Sequence, residues 1–497
     1  MERRHFMKMG TGALAGFAVP GTVKRILGNS TATITVHPDQ VIGDISPNIY
    51  GQFIEHLGRA IYGGIYDDNK REFRKDVLEK VQGLNTPLMR YPGGTVTKIY
   101  HWKDGIGQNR PVRKNLIWGG NDNNHVGTDE FMAYSKLLNA EPFLTVNMST
   151  GTAEEAADWV EYCNATDTYF ASLRKQNGHE QPYNVKYWGL GNEEAAKEDA
   201  GVLQDPKDYI KKAWYYAKLM KLQDPSIELI MVGDKEEWNK QVLEELHPIC
   251  DYISLHLYAG TKPGKPASLF ESIAGMEKDI KRTAAQIAAI APKKVESFSK
   301  WYRFPARKQP VKIALDEWGI WESNGEGAYG LEMKYNWNHA LGVANFLNIF
   351  HRNADVIGMA TWAQTVNVLA PIMTNASGSF CQTIYYPMEL YRRLCGNKSL
   401  TTEVTGTALD VAASTDDKTI TIAIVNKDSS NASDITLNVP EISGSWMAHE
   451  LNAPSIEAVN NFNSPNVVKY NKRELARGTK TYTIAAHGIT ILQARTS

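Results

Sequence analysis

Between residues 48 and 364 the sequence repeats one pattern eight times. A short apolar run ends in polar or glycine-rich residues, and a longer stretch with helical spacing follows. The runs are NIYGQFIEH (48–56), TPLMRYPGG (86–94), PFLTVNMST (142–150), VKYWGLGNE (185–193), IELIMVGD (227–234), DYISLHLY (251–258), VKIALDEW (311–318) and VIGMATWAQ (356–364). Between them lie stretches such as TAEEAADWVEYCN and DPKDYIKKAWYYAKLMKL. In the latter, apolar residues recur at three and four while lysines take the other face, as in an amphipathic helix. Eight strand–helix units of this length predict a (β/α)8 TIM barrel. A doubly wound open sheet would carry a Gly-rich phosphate turn after its first strand, and FIEHLGRA is not one.

Past residue 385 the texture changes. TALDVAASTDDKTITIAIVNKDSSNASDITLNV and KTYTIAAHGITILQA are short alternating runs separated by Asp, Ser, Asn and Gly. This is the pattern of an antiparallel, jelly-roll-like β-sandwich. TATITVHP, near 31–38, has the same alternation and precedes the barrel, so it is expected to join that sandwich. The expected organisation is therefore a leader (1–30), an N-terminal strand (31–45), the barrel (46–384) and the sandwich (385–497). Residues 259–310 are read as a loop-plus-helix insertion before the seventh barrel strand.

The leader places Arg3 and Arg4 ahead of a weakly apolar run, MGTGALAGFAVPG, with Lys24 and Arg25 behind it. It resembles a twin-arginine export signal, which predicts a periplasmic or extracellular protein. The run is too short for a stable membrane span, and no other segment approaches the roughly 18 apolar residues a membrane helix needs. Lys+Arg 54 against Asp+Glu 55 leaves a net charge of -1, so bulk electrostatics give no reason to expect nucleic acid or anionic lipid as a partner. The 12 histidines are scattered and the cysteines lack CxxC spacing, so neither a metal site nor a cofactor is expected. Cys381 and Cys395 are read either as a disulfide or as two buried thiols.

In such a barrel, polar groups at the C-terminal strand ends converge on one mouth. Here they are Glu55, Arg90, Asn147, Asn192, Glu193, His256, Tyr258, Glu317 and Gln364. Glycosidic bond cleavage needs two carboxyl groups, one to protonate the leaving oxygen and one to attack the anomeric carbon or activate water. Glu193 and Glu317 end the fourth and seventh strands and are the candidate pair. Arg90 and Tyr258 are suitable donors to keep Glu317 ionised, and His256 is read as a hydrogen-bonding group of the site. Because strand side chains alternate, Glu194 is expected to be solvated, and Asp316 to face the helical layer.

Six segments together, FIEHLGRAIYGGIYD, LMRYPGG, YWGLGNE, DYISLHLY, LDEWG and WAQTVNVLAPI, resemble glycoside hydrolase family 51, the α-L-arabinofuranosidases. The resemblance runs over the whole barrel. It implies a retaining, two-step reaction in which Glu317 forms a covalent arabinofuranosyl ester and Glu193 serves as acid and then base. It further implies that Glu55, Arg90, Asn192, Tyr258 and Gln364 hold the terminal arabinose, with Asn192 over its 2-hydroxyl. Trp118 matches a substrate-facing tryptophan, with core packing as the alternative. The substrate would be an arabinose-containing poly- or oligosaccharide, and relatives are often oligomeric. Two departures stand out. Thr95 replaces an Asn that contacts sugar in the family, and EAAKED follows GNE where relatives commonly read Met-Asp-Gly-Pro-Trp. Another retaining hydrolase on this barrel, a β-xylosidase or endoglucanase, is the second reading. A non-catalytic carbohydrate-binding protein is a third, which the intact carboxylate pair opposes.

Overall fold

Eight parallel strands close into a barrel in chain order. The computed structural model describes residues 30–196, 203–290, 309–322, 325–406, 409–440, 442 and 444–496. Residues 1–29 of the leader, the end of EAAKED and part of the 259–310 segment lie outside the described residues. Strand β1 (Ser30–Asp44) precedes the barrel strands β2 (Gly51–Phe53), β3 (Leu88–Tyr91), β4 (Glu141–Val146) and β5 (Tyr187–Leu190). The barrel continues through β6 (Glu228–Met231), β7 (Tyr252–Ala259), β8 (Lys312–Ile320) and β9 (Ile357–Trp362). Closure is made by Thr361 and Trp362 of β9 beside Gly51 and Gln52 of β2. Each of the eight runs read from the sequence overlaps one barrel strand, three of them (β4, β7 and β8) running one or two residues beyond the run.

Strands covered on both faces read as nearly continuous apolar runs, and the barrel interior shows why. Leu88, Phe143, Tyr187, Ile230, Ala314 and Met359, each from a different strand, pack into one apolar plug. Above the plug the interior turns polar, beginning with Arg90, which is 0% exposed. The Arg90 guanidinium sits 4.8 Å from the Phe53 ring centre and 5.6 Å from that of Phe143.

The outer helices start where their caps dictate. Helix α1 (Lys75–Gly83) and α2 (Thr128–Leu138) follow β2 and β3. Thr152 accepts from the Glu155 amide to open α3 (Ala153–Asn164), and α4 (Tyr169–Gln176) follows it. Asp205 caps the Lys207 amide, and Pro206 occupies the first turn of α5 (Pro206–Gln223), where its missing N–H costs nothing. Helices α6 (Glu236–Leu246) and α7 (Ser268–Ile290) complete that side. Helix α8 (Trp337–Arg352) is buried along almost its whole length, because it lies between the barrel and the second sheet. Residues 385–394 form α9 (Tyr385–Leu394), and the next strand begins at Lys398.

The second domain is one nine-stranded sheet folded around its own apolar core, which includes Ile34, Val36, Val411, Ile422, Ile424, Trp446 and Leu492. Strand β1 is part of it, pairing antiparallel with Lys398–Thr405 and parallel with Ser433–Asn438. The sandwich is thus antiparallel except for that one parallel pair, because β1 enters from the far end of the chain rather than through a hairpin. Cys381 and Cys395 are both free thiols, and burial pushes each up to about 12. Among the described residues no helix is long and apolar enough to cross a membrane.

The domains are joined through α8. Arg352 grips both carboxylate oxygens of Asp410 at 3.0 and 3.2 Å, Asn348 donates to Asp410 at 2.8 Å, and the Trp337 indole donates to the His487 carbonyl at 2.7 Å. Replacing Asp410 by Ala removes the carboxylate that both donors share, leaving Arg352 with the Val411 carbonyl and Glu277, and is expected to cost about 2 kcal/mol, read as a lowered midpoint of chemical unfolding.

Candidate active site

Strand β8 carries a bulge that rearranges the mouth. Ser254 lies opposite Ala314 but His256 opposite Glu317, and on the other side Leu315 lies opposite Ala360 but Trp318 opposite Trp362. One extra residue therefore sits in β8 between 315 and 317, which breaks the alternation. As a result, Asp316 and Glu317 both reach the interior. Asp316 does not face the helical layer as alternation suggested. Its carboxylate lies 2.5 Å from Ser254 Oγ, 3.5 Å from His256 Nε2 and 3.6 Å from Arg90 Nη2. Burial alone would raise its pKa, but the Arg90 charge and His256 hold it below the usual carboxylate range.

Glu317 is held from two sides. Arg90 Nη1 donates to Oε1 at 2.9 Å and the Tyr258 hydroxyl donates to Oε2 at 2.8 Å. Arg90 Nη1 also reaches the Asp316 carbonyl at 2.9 Å, and Nη2 donates to Asn192 Oδ1 at 2.7 Å. One guanidinium thus ties the ends of β3, β5 and β8 together. Gly94 closes the space beside this carboxylate: a Cβ there would lie 2.7 Å from Glu317 Oε1.

Strand β5 ends at Leu190, three residues before Glu193. The chain then turns through Gly191 and Glu193, both with positive φ (83° and 47°), so strand alternation no longer applies. Glu193 stays partly exposed at the mouth, with one oxygen 2.7 Å from His256 Nδ1. Glu194 is not solvated but 0% exposed. The turn folds its carboxylate back beneath Gly191, where it accepts from the Asn192 amide at 3.4 Å.

His256 stands among three carboxylates, with Nδ1 3.5 Å from Glu317 Oε2 in addition to its Glu193 and Asp316 contacts. Burial disfavours a charged ring, but Glu317, Asp316 and Glu193 override it and raise the pKa well above the usual histidine value. Glu193, His256 and Glu317 each bring one polar atom into a group within 4.8 Å of one another.

Glu55 accepts from the Val96 amide at 3.0 Å, the Trp118 indole at 2.9 Å and Gln364 Nε2 at 2.9 Å. Burial, then the nearby Glu317 charge, raises its pKa to about 7 despite those donors. Two polar atoms of the cluster, Asn192 Nδ2 and Gln364 Oε1, are buried without a protein partner among the described residues. Trp118 is half-buried on the rim, its ring against that of Tyr329. Thr95 is buried at the start of the 3-10 turn Thr95–Lys98. Asn147 is not directed at this cluster: its amide donates to the Tyr100 carbonyl and Thr150, and its oxygen accepts from the Ser149 and Thr150 amides.

Sequence reasoning missed a buried brace beneath Trp118. His56 Nδ1 pairs with Asp122 at 2.7 Å, Tyr62 donates to the same carboxylate at 3.0 Å, and Asn115 links the His56 carbonyl to the Trp118 amide. The sequence hint was the histidine directly after Glu55; its partner is 66 residues away and invisible to any local pattern.

Family models match twice. The α-L-arabinofuranosidase 1 domain covers residues 80–273, and the α-L-arabinofuranosidase C-terminal domain covers residues 316–487. The chain is 42% identical over 382 residues to α-L-arabinofuranosidase C of Emericella nidulans, spanning 72% of this chain and 73% of that one. It is 34% identical to the intracellular exo-α-(1→5)-L-arabinofuranosidase 1 of Bacillus subtilis, over 88% of this chain and 93% of that one. Its fold superposes on the thermostable GH51 α-L-arabinofuranosidase of Thermotoga petrophila with a TM-score of 0.85 and 34% identity, over 93% and 99% of the two chains.

Two outcomes follow from the geometry. Gly94→Ala forces Glu317 off Arg90 and is expected to lower kcat about 100-fold while the fold persists, checked by steady-state kinetics beside circular dichroism. Burial would raise the Asp122 pKa, but His56 and two further donors hold it down to about 2. A depressed carboxylate adds stability that is complete above its unfolded value and lost as pH falls through the folded one. Asp122→Asn should therefore remove about 2 kcal/mol at neutral pH and flatten the loss of stability between about pH 4 and 2, seen in chemical unfolding across that range.

Proposed function

The chain belongs to glycoside hydrolase family 51, the α-L-arabinofuranosidases, and from that premise we propose that it releases terminal α-L-arabinofuranosyl residues with retention of configuration. The substrates are side chains or oligosaccharides of arabinan and arabinoxylan type. The observation that carries the mechanism is the approach of Glu193 and Glu317 oxygens within 4.8 Å. Retaining enzymes hold their carboxyl groups about 5–5.5 Å apart, whereas inverting ones leave about 6.5–9.5 Å for a water.

In this reading Glu317, oriented by Arg90 and Tyr258, attacks the anomeric carbon while Glu193 gives its proton to the departing oxygen. The sugar is left as an ester on Glu317. Glu193 then takes a proton from water, the water attacks the same carbon, and arabinose leaves as Glu317 is freed. His256 keeps a proton between the carboxylates. Asn192 Nδ2 and Gln364 Oε1, polar and without a partner among the described residues, are the groups placed to bind sugar hydroxyls. Asn192 would serve the 2-hydroxyl, where a hydrogen bond strengthens as positive charge develops on the ring. Glu55, Arg90 and Tyr258 complete the sugar pocket, with Trp118 over its edge. The paired arginines at positions 3 and 4 support export by the twin-arginine route.

An aryl α-L-arabinofuranoside should release β-free, α-configured L-arabinose as the first product by proton NMR, with no release from the matching β-xyloside. An inverted first product would overturn the mechanism. Glu317→Gln should lower kcat by about 10³-fold or more.

A further inference from the structure

Glu194 has no part in the proposed reaction, yet it is buried more completely than either carboxylate that does. Its surroundings explain the burial. One oxygen accepts from the Asn192 amide at 3.4 Å and the other from Ser149 Oγ at 3.5 Å. The charges of Lys98 and Lys212 act on it, while burial, the larger effect, raises its pKa. Lys98 is itself 2% exposed, and its ammonium donates to the Glu193 carbonyl at 3.1 Å. The carbonyl of Lys98 is held in turn by Thr150, through both its amide and its hydroxyl.

These contacts grip one backbone turn from both sides. The Glu194 carboxylate holds the amide before Glu193, and Lys98 holds the carbonyl of Glu193 itself. Between them Glu193 adopts φ 47°, a conformation that is costly for a non-glycine residue and persists only where the surroundings enforce it. Gly191 makes room, since a Cβ there would lie 2.7 Å from Glu194 Oε1.

We propose that Glu194, with Lys98, is a positioning residue that fixes the left-handed turn aiming Glu193 at the leaving-group oxygen. The inference rests on Glu193 being the proton donor. Loosening the turn leaves Glu317 on its Arg90 and Tyr258 donors and the Asn192 side chain on Arg90, but misplaces the proton. The defect therefore depends on how much the leaving group needs that proton, which general destabilisation would not produce.

The experiment compares kcat/KM on two arabinofuranosides, one with a 2,4-dinitrophenyl leaving group that departs unaided and one with a methyl leaving group that needs protonation. Glu194→Ala and Lys98→Met are expected to lower kcat/KM about 10–100-fold on the methyl glycoside and less than about threefold on the dinitrophenyl one. Azide, which needs no general base, should raise kcat of these variants on the dinitrophenyl substrate. Glu194→Gln keeps the shape and one acceptor, so it should fold and show the same selectivity more weakly. Glu193→Ala is the reference. If it shows no leaving-group selectivity, the proton-donor reading falls. If it does, and the Glu194 and Lys98 variants lose both substrates equally or neither, the positioning role is overturned.

Discussion

The Arg90 guanidinium is the interaction on which the rest of the mouth depends. A fully buried cation is tolerated only where hydrogen bonds and opposite charges replace its water. Here the Glu317 carboxylate, the Asp316 carbonyl and carboxylate and the Asn192 amide oxygen do so. Each contact also performs a task. The charge keeps Asp316 ionised, the fork sets the angle of Glu317, and the bond to Asn192 leaves Nδ2 of that amide buried without a partner among the described residues. Strands from opposite parts of the chain are thereby fixed to one another at the level where chemistry occurs.

The barrel below supports this arrangement by being apolar. Its apolar plug ends where Arg90 begins, with Phe53 and Phe143 against the guanidinium. A low-dielectric floor strengthens every charge interaction above it. That is why four carboxyl groups, Glu55, Glu193, Asp316 and Glu317, can share one mouth only with Arg90 and His256 among them. The outer parts of the site are held by separate braces: His56 with Asp122 beneath Trp118, and Lys98 with Glu194 around the Glu193 turn.

The strand–helix alternation and the polar strand ends were legible because both are local. A strand buried on both faces must be apolar, and a barrel delivers its C-terminal ends to one place. Arg90, Asn192, Glu193, His256, Tyr258 and Glu317 are linked by contacts at that mouth, and Glu55 with Gln364 forms a bonded pair beside them. Asn147 obeyed the same pattern, yet it spends its hydrogen bonds on its own loop. A strand-end position does not say whether a side chain is already satisfied.

The residues misread were those beside the catalytic pair. Alternation assigned Asp316 outward and Glu194 to solvent, and both lie inside. The reasons are a single extra residue in β8 and two left-handed residues after β5. Neither leaves a mark in composition or periodicity. A bulge exists only relative to neighbouring strands, and a Glu at positive φ is stable only under the grip of distant side chains. Sequence alone therefore determined the architecture and the inventory of groups at the mouth, since burial and period act over a few residues. Which carboxylate faces which cation was decided by register and turn geometry, which arise only when residues from β3, β5, β7 and β8 meet in space.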